Sequence, residues 1–160
     1  MANKQKGFTL VEVIVAMTIF SLLAGLLSIS MINTQPRASL NSTIVSLTSD
    51  IKHQQLKAIS GEIKDDSTFP YGIHFESNSY TLFAGNTFQS SDPTNFTVNL
   101  ENNLSFINIT FPGSSLVFSQ NTGDVSGFTP GSNTITLHNS VTNEQKMLTV
   151  NRFGSVISVN

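Results

Sequence analysis

The sequence predicts an α+β protein: a long N-terminal helix, transmembrane in its first half and amphipathic in its second, packed on an antiparallel β domain of about seven or eight strands. Three observations carry that prediction. A mostly apolar run occupies residues 8–32, an apolar stripe at helical spacing continues through residues 33–63, and over residues 64–160 apolar residues recur at every second position between turn signals.

The apolar run, Phe8 to Ile32, contains one ionisable side chain, Glu12. As a helix rising about 1.5 Å per residue it would be ~37 Å long, more than the roughly 30 Å of a bilayer's hydrocarbon core. One membrane crossing is therefore expected. Lys4 and Lys6 before the run outnumber Arg37 just after it, which places the N-terminus in the cytoplasm and the chain beyond about residue 33 outside.

Pro36 then marks an expected kink or break. The helical pattern resumes with Leu40, Ile44, Leu47, Ile51, Leu56, Ile59 and Ile63, and Ser42, Ser46, Asp50, Lys52, Gln54 and Lys57 are assigned to the solvated face. Gly61 is the expected end. Beyond it the period becomes two. Strands are expected around Ile73–Phe75, Tyr80–Leu82, Phe96–Leu100, Ile107–Phe111, Leu116–Ser119, Asn133–His138, Lys146–Asn151 and Ser155–Val159. Ala84-Gly85-Asn86, Asp92-Pro93, Phe111-Pro112-Gly113, Asn121-Thr122-Gly123, Thr129-Pro130-Gly131 and Phe153-Gly154 supply the turns. Gly85–Asn95 is the expected mobile loop. The twelve phenylalanines are assigned mainly to strands and the core, with Phe69, Phe88, Phe128 and Phe153 in loops as contact points for other subunits or as local packing.

Composition narrows the function. Charged residues make up 11% of the chain, against roughly 25% in ordinary soluble proteins, and Ser, Thr and Asn together supply about a third. A net charge of −2 offers no general field for nucleic acid. There is no cysteine, which excludes disulfides, thiolate nucleophiles and Cys-based zinc sites. His53, His74 and His138 have no metal-ligand spacing. Asp65-Asp66 and the Asn121–Gly127 segment are read as solvated turns rather than calcium loops. No Gly-x-Ser-x-Gly elbow, Ser-x-x-Lys motif or phosphate-cradling glycine loop occurs. The expectation is a protein that is not an enzyme, with no metal and no cofactor.

The informative string is Lys6-Gly7-Phe8-Thr9-Leu10-Val11-Glu12-Val13-Ile14-Val15-Ala16-Met17. A glycine lets an extended strand enter a narrow protease cleft. A carboxylate inside an apolar helix carries an insertion penalty and marks function. The string resembles the processing signal of type IV prepilins and type II secretion pseudopilins. That resemblance implies a leader of residues 1–7, cleavage between Gly7 and Phe8 by a prepilin peptidase, N-methylation of Phe8, and Glu12 as the carboxylate that meets a neighbouring subunit's terminal amine. It implies partners as well: other pilin or pseudopilin subunits and an inner-membrane assembly platform, with nucleic acid disfavoured. A plain signal-anchor, and a secretory signal peptide cut near Ser28-Ile29-Ser30, explain the glutamate less well. Tyr71-Gly72-Ile73-His74-Phe75 and the ending Met147–Ile157 resemble the GspH/FimT minor pseudopilins. Some members of that group bind DNA through a basic C-terminal region, where this chain has only Lys146 and Arg152. A pilus-tip protein that binds DNA or a surface ligand is the alternative reading.

Overall fold

The computed structural model describes residues 7–32, 34–61, 63–64 and 67–160. Most of the expected leader, with Lys4 and Lys6, and the Asp65-Asp66 pair lie outside the described residues. The chain forms two compact units, Met1–Gln35 and Pro36–Asn160.

The first unit is built on α1 (Leu10–Ile32). Every described side chain from Gly7 to Ala24 is exposed. Thr18 donates its hydroxyl to the Ile14 carbonyl at 2.8 Å, which satisfies that hydroxyl within an apolar run. Among the described residues no helix is long and apolar enough to cross a membrane.

The helix α2 spans Thr34–Ser60, and the second unit takes it up from Pro36. The sequence predicts a kink or break at Pro36; α1 ends at Ile32 and α2 begins at Thr34, with residue 33 outside the described residues, and Pro36 lies in the first turn of α2. Gly61 follows with φ 63°, closing the helix where the sequence places its end. Ile63, assigned from the sequence to the helix, belongs instead to the hairpin β1 (Ile63–Lys64) and β2 (Ser67–Thr68).

Eight further strands form two antiparallel sheets: β3 (Tyr71–Phe75), β4 (Ser79–Ala84), β5 (Phe96–Asn99), β6 (Leu104–Ile107), β7 (Ser115–Phe118), β8 (Thr134–Asn139), β9 (Gln145–Val150) and β10 (Val156–Val159). One sheet has the order β5-β4-β3-β7 and the other β10-β9-β8-β6. Register places Tyr71, Ile73, Phe75, Tyr80, Leu116 and Phe118 on one face of the first sheet, and all are buried. Leu104, Phe106, Ile135, Leu137, Leu148 and Val150 do the same for the second. With Leu40, Ile44, Leu47, Ile51 and Ala58 of α2 these residues make one core. Phe106 links the sheets, its ring 5.6 Å from Phe75 and 6.2 Å from Tyr80 in edge contacts. Only five phenylalanines, Phe75, Phe83, Phe96, Phe106 and Phe118, lie in strands, so the core draws less on this residue type than the sequence suggests.

Two expectations about which residues face inward are corrected. The stripe of α2 does not continue through Leu56 and Ile59, which are 50% and 43% exposed. After Ile51 the buried positions are Gln54, Gln55 and Ala58, which keep the three- and four-residue steps that Leu56 breaks. Gln54, assigned to the solvated face, is therefore interior. The ladder assigned to Ile107, Ile109 and Phe111 ends at Ile107, because Asn108 turns to φ 51°; the inward residues of that strand are Leu104 and Phe106.

Gln55 explains how a glutamine serves the core. Its Nε2 donates to the carbonyl of Gly123 at 3.0 Å and to that of Phe153 at 2.6 Å. One side chain thus anchors two turns on α2. The first turn comes close enough to need glycine: Gly123 has φ 72°, and a Cβ there would stand 2.5 Å from Ile59.

On the opposite face of the first sheet, His74 stacks on Phe88 with ring centres 4.1 Å apart and 8° between planes. Its Nδ1 is 2.9 Å from Ser115 Oγ. Phe88 also meets Phe83 edge-on at 5.6 Å, so the loop Gly85–Asn95, expected to be mobile, folds onto this face through Phe88. Burial pushes the His74 pKa below its ordinary value, with the nearby Glu76 charge opposing.

Gln55→Leu would leave two turn carbonyls without their donor and should destabilise the 36–160 unit by about 1–3 kcal/mol. The midpoint of urea unfolding reads this, and an unshifted midpoint would show that the turns hold without Gln55. The His74 shift gives a second prediction. The folded state favours the neutral ring, so this contribution is present above about pH 6.5 and is lost as pH falls below it. Urea midpoints taken across that range should fall on acidification, less steeply in His74→Gln. Equal slopes in both proteins would assign the titration elsewhere.

Candidate functional site at the start of the first helix

Gly7, Phe8 and Thr9 precede α1 in non-helical conformation. Among the described residues a Cβ at Gly7 would meet nothing within 4 Å, and Phe8 is 88% exposed.

Thr9 is the N-cap of the helix and Glu12 its third residue. The Thr9 backbone N–H and hydroxyl each donate to Glu12 Oε2 at 2.9 Å, and the Glu12 N–H lies 3.3 Å from Thr9 Oγ1. The first helical bond, Val13 N–H to Thr9 carbonyl, spans 3.3 Å. This is a reciprocal capping box, in which an acid at the positive end of the helix satisfies backbone donors that have no helical acceptor. Glu12 is therefore held in place before any partner arrives. The sequence reading missed Thr9, although Thr9-Leu10-Val11-Glu12 carries the Thr-x-x-Glu spacing that signals such a cap.

Along the same face, Phe8, Glu12, Val13, Ala16, Met17 and Phe20 line a groove in which Glu12 is the one carboxylate. Ala16 keeps the middle of this face low, four residues from both Glu12 and Phe20. With Leu10, Val11, Ile14 and Val15 also exposed, α1 presents apolar side chains on every side, a pattern that water does not suit.

The remaining residues singled out from the sequence do not come together. His53 lies exposed on α2, His74 on β3 and His138 half-buried on β8. Among the described residues no group of three His, Asp or Glu side chains could hold a metal ion. The Asn121–Gly127 segment is a turn: the Asn121 N–H bonds the Ala58 carbonyl, the Gly123 N–H bonds the Ser119 carbonyl, and Val125 bridges Phe118. Of the loop phenylalanines, Phe88 packs locally and Phe69 and Phe128 are half-buried. Phe153 is 62% exposed beneath the Arg152 guanidinium.

Residues 2–28 match the family described as the prokaryotic N-terminal methylation motif. No curated protein and no solved structure matches the chain. The N-terminal segment thus carries a type IV prepilin-like motif. That motif implies processing by a prepilin peptidase, a membrane-anchored N-terminus and assembly with other pilin-like subunits.

Proposed function

We propose that this protein is a structural subunit of an extracytoplasmic filament, a minor pilin or pseudopilin of a type IV pilus or type II secretion machine, and that it works by assembly rather than catalysis. The observation that carries the reading is the methylation motif at residues 2–28, whose Glu12 is capped by Thr9 at the head of an exposed apolar helix. On this reading the peptidase cuts after Gly7 and Phe8 is N-methylated. Residues 8–32 cross the inner membrane once with the N-terminus in the cytoplasm, and the β domain stands outside. The GspH/FimT variety of minor pseudopilin rests on the resemblance of Tyr71–Phe75 and of the segment Met147–Ile157 alone.

The chemistry favours a charge pair. Cleavage creates a new ammonium at Phe8, which is costly to bury among helices unless a carboxylate meets it. Glu12 of a neighbouring subunit meets that need, and the cap fixes where its carboxylate stands.

Two experiments test this. Gly7→Val should leave the protein in the membrane at precursor mass. The added side chain has open space around Cβ in this protein, so a block would come from the peptidase cleft and not from misfolding. Intact-mass analysis showing normal removal of residues 1–7 would refute the cut site. Glu12→Ala and Glu12→Gln should both be inserted and cleaved yet fail to enter filaments. Glutamine preserves the capping-box geometry, so it isolates the charge. Losing one side of a buried pair costs about 3–5 kcal/mol, more than a hundredfold in an assembly equilibrium. Co-purification of Glu12→Gln with filament subunits at the wild-type level would show that assembly does not use the charge.

A further inference from the structure

The loop Gly85–Asn95, which joins β4 to β5, is anchored on the outer face of the first sheet through Phe88. This is the loop's one aromatic and one large apolar residue. Its ring stacks on His74 at 4.1 Å and meets Phe83 edge-on at 5.6 Å. Three further bonds close on the loop itself. The Asp92 N–H donates to the Gln89 carbonyl, the Asn95 N–H to the Asp92 carbonyl, and Asn95 Nδ2 to the Gln89 carbonyl. We propose that His74 and Phe88 form an acid-released latch, closed while the imidazole is neutral and opened by its protonation.

The geometry builds the device from three parts. The floor is fixed: Phe83 lies over Gly72, where a Cβ would stand 2.7 Å from its ring, so no side chain competes for its place. The cover is complete on one side. With 8° between planes, Phe88 takes water from one whole face of the imidazole, and the charged ring needs that water more than the neutral one does. The third part is indifferent to the proton. Nδ1 lies 2.9 Å from Ser115 Oγ, a hydroxyl that accepts from the protonated ring or donates to the neutral one, so this bond does not decide the latch.

Few charges act on the ring. Glu76, two residues along β3, favours the protonated form. β4 carries no charge, and its Tyr80 turns to the core to donate to Asp50. β7 carries none either. The loop's one charge, Asp92, accepts from the Thr94 N–H at 2.8 Å and the Thr94 hydroxyl at 2.7 Å. Burial outweighs Glu76 and holds the His74 pKa below its ordinary value. Release of Phe88 returns the ring to water and restores that value. The closed form is therefore favoured above about pH 6.5 and lost as pH falls below it. Opening uncovers Phe83, which is 3% exposed while the latch is shut. An apolar surface is thus shown in acid alone.

The latch is independent of the filament reading, and its test follows the loop directly. Isotopically labelled full-length protein in dodecylmaltoside micelles would be titrated by NMR from about pH 8 to about pH 5. The His74 Cε1 signal reads protonation, and Overhauser contacts of Phe88 with the His74 and Phe83 rings read closure. These contacts should be present at the alkaline end and vanish with the His74 midpoint, while the Phe75–Phe106 contact of the core persists. His74→Phe keeps a ring in the stack that takes no proton, and should stay closed throughout. Contacts that outlast His74 protonation, or tighten through attraction of the cation to the Phe88 ring, would overturn the latch. So would their loss at another midpoint, together with the core contact, or equally in His74→Phe. The wild-type titration decides the question should the variant fail to fold.

Discussion

One face of α2 organises the second unit. Leu40, Ile44, Leu47 and Ile51 belong to one core with the inward residues of both four-stranded sheets. The face then changes chemistry after Ile51, because what packs against it changes. The early part meets the inward side chains of strands, which need only apolar contact. The last turns meet the backbone of two connections, at Gly123 and Phe153, whose carbonyls need donors. A leucine in place of Gln55 would fill the space and leave those carbonyls unsatisfied. Burying this glutamine therefore costs less than its polarity suggests.

That change of chemistry also explains where the sequence is readable and where it is not. The change of period near Gly61 is plain, and the strand positions follow from alternation and from turn residues such as Gly85 and Gly131. The interior role of Gln54 and Gln55 is hidden, since a pattern search counts glutamine as solvated. The five-residue step from Ile51 to Leu56 was the available sign that Leu56 does not share the buried face. The inward phase of β6 is hidden for a different reason. Ile107, Ile109 and Phe111 alternate in the sequence, but the positive φ of Asn108 interrupts the ladder between them. Phe96 reads as a core residue, and only the end position of β5 in its sheet leaves it open.

The N-terminal site divides in the same way. Gly7, Phe8 and Glu12 stand out in the sequence because an ionisable group within an apolar run is rare. Thr9 does not stand out, since threonine is common in this chain and is usually unremarkable at a helix start. Its sequence signal is the Thr-x-x-Glu spacing alone, and the three hydrogen bonds to Glu12 show its part directly.

The cap also answers an objection to placing a carboxylate in this helix. An uncompensated charge would resist both lipid and a helical filament core. Here Thr9 supplies two donors from within the same subunit, so the charge is partly compensated before assembly. Both of those bonds fall on Oε2, so an ammonium can approach Oε1 without undoing the cap. The two interactions then add instead of competing, and the helix start stays ordered as the pair forms. On the filament reading, Thr9 prepares the acceptor, cleavage at Gly7 supplies the donor, and neither group alone meets the cost of burial.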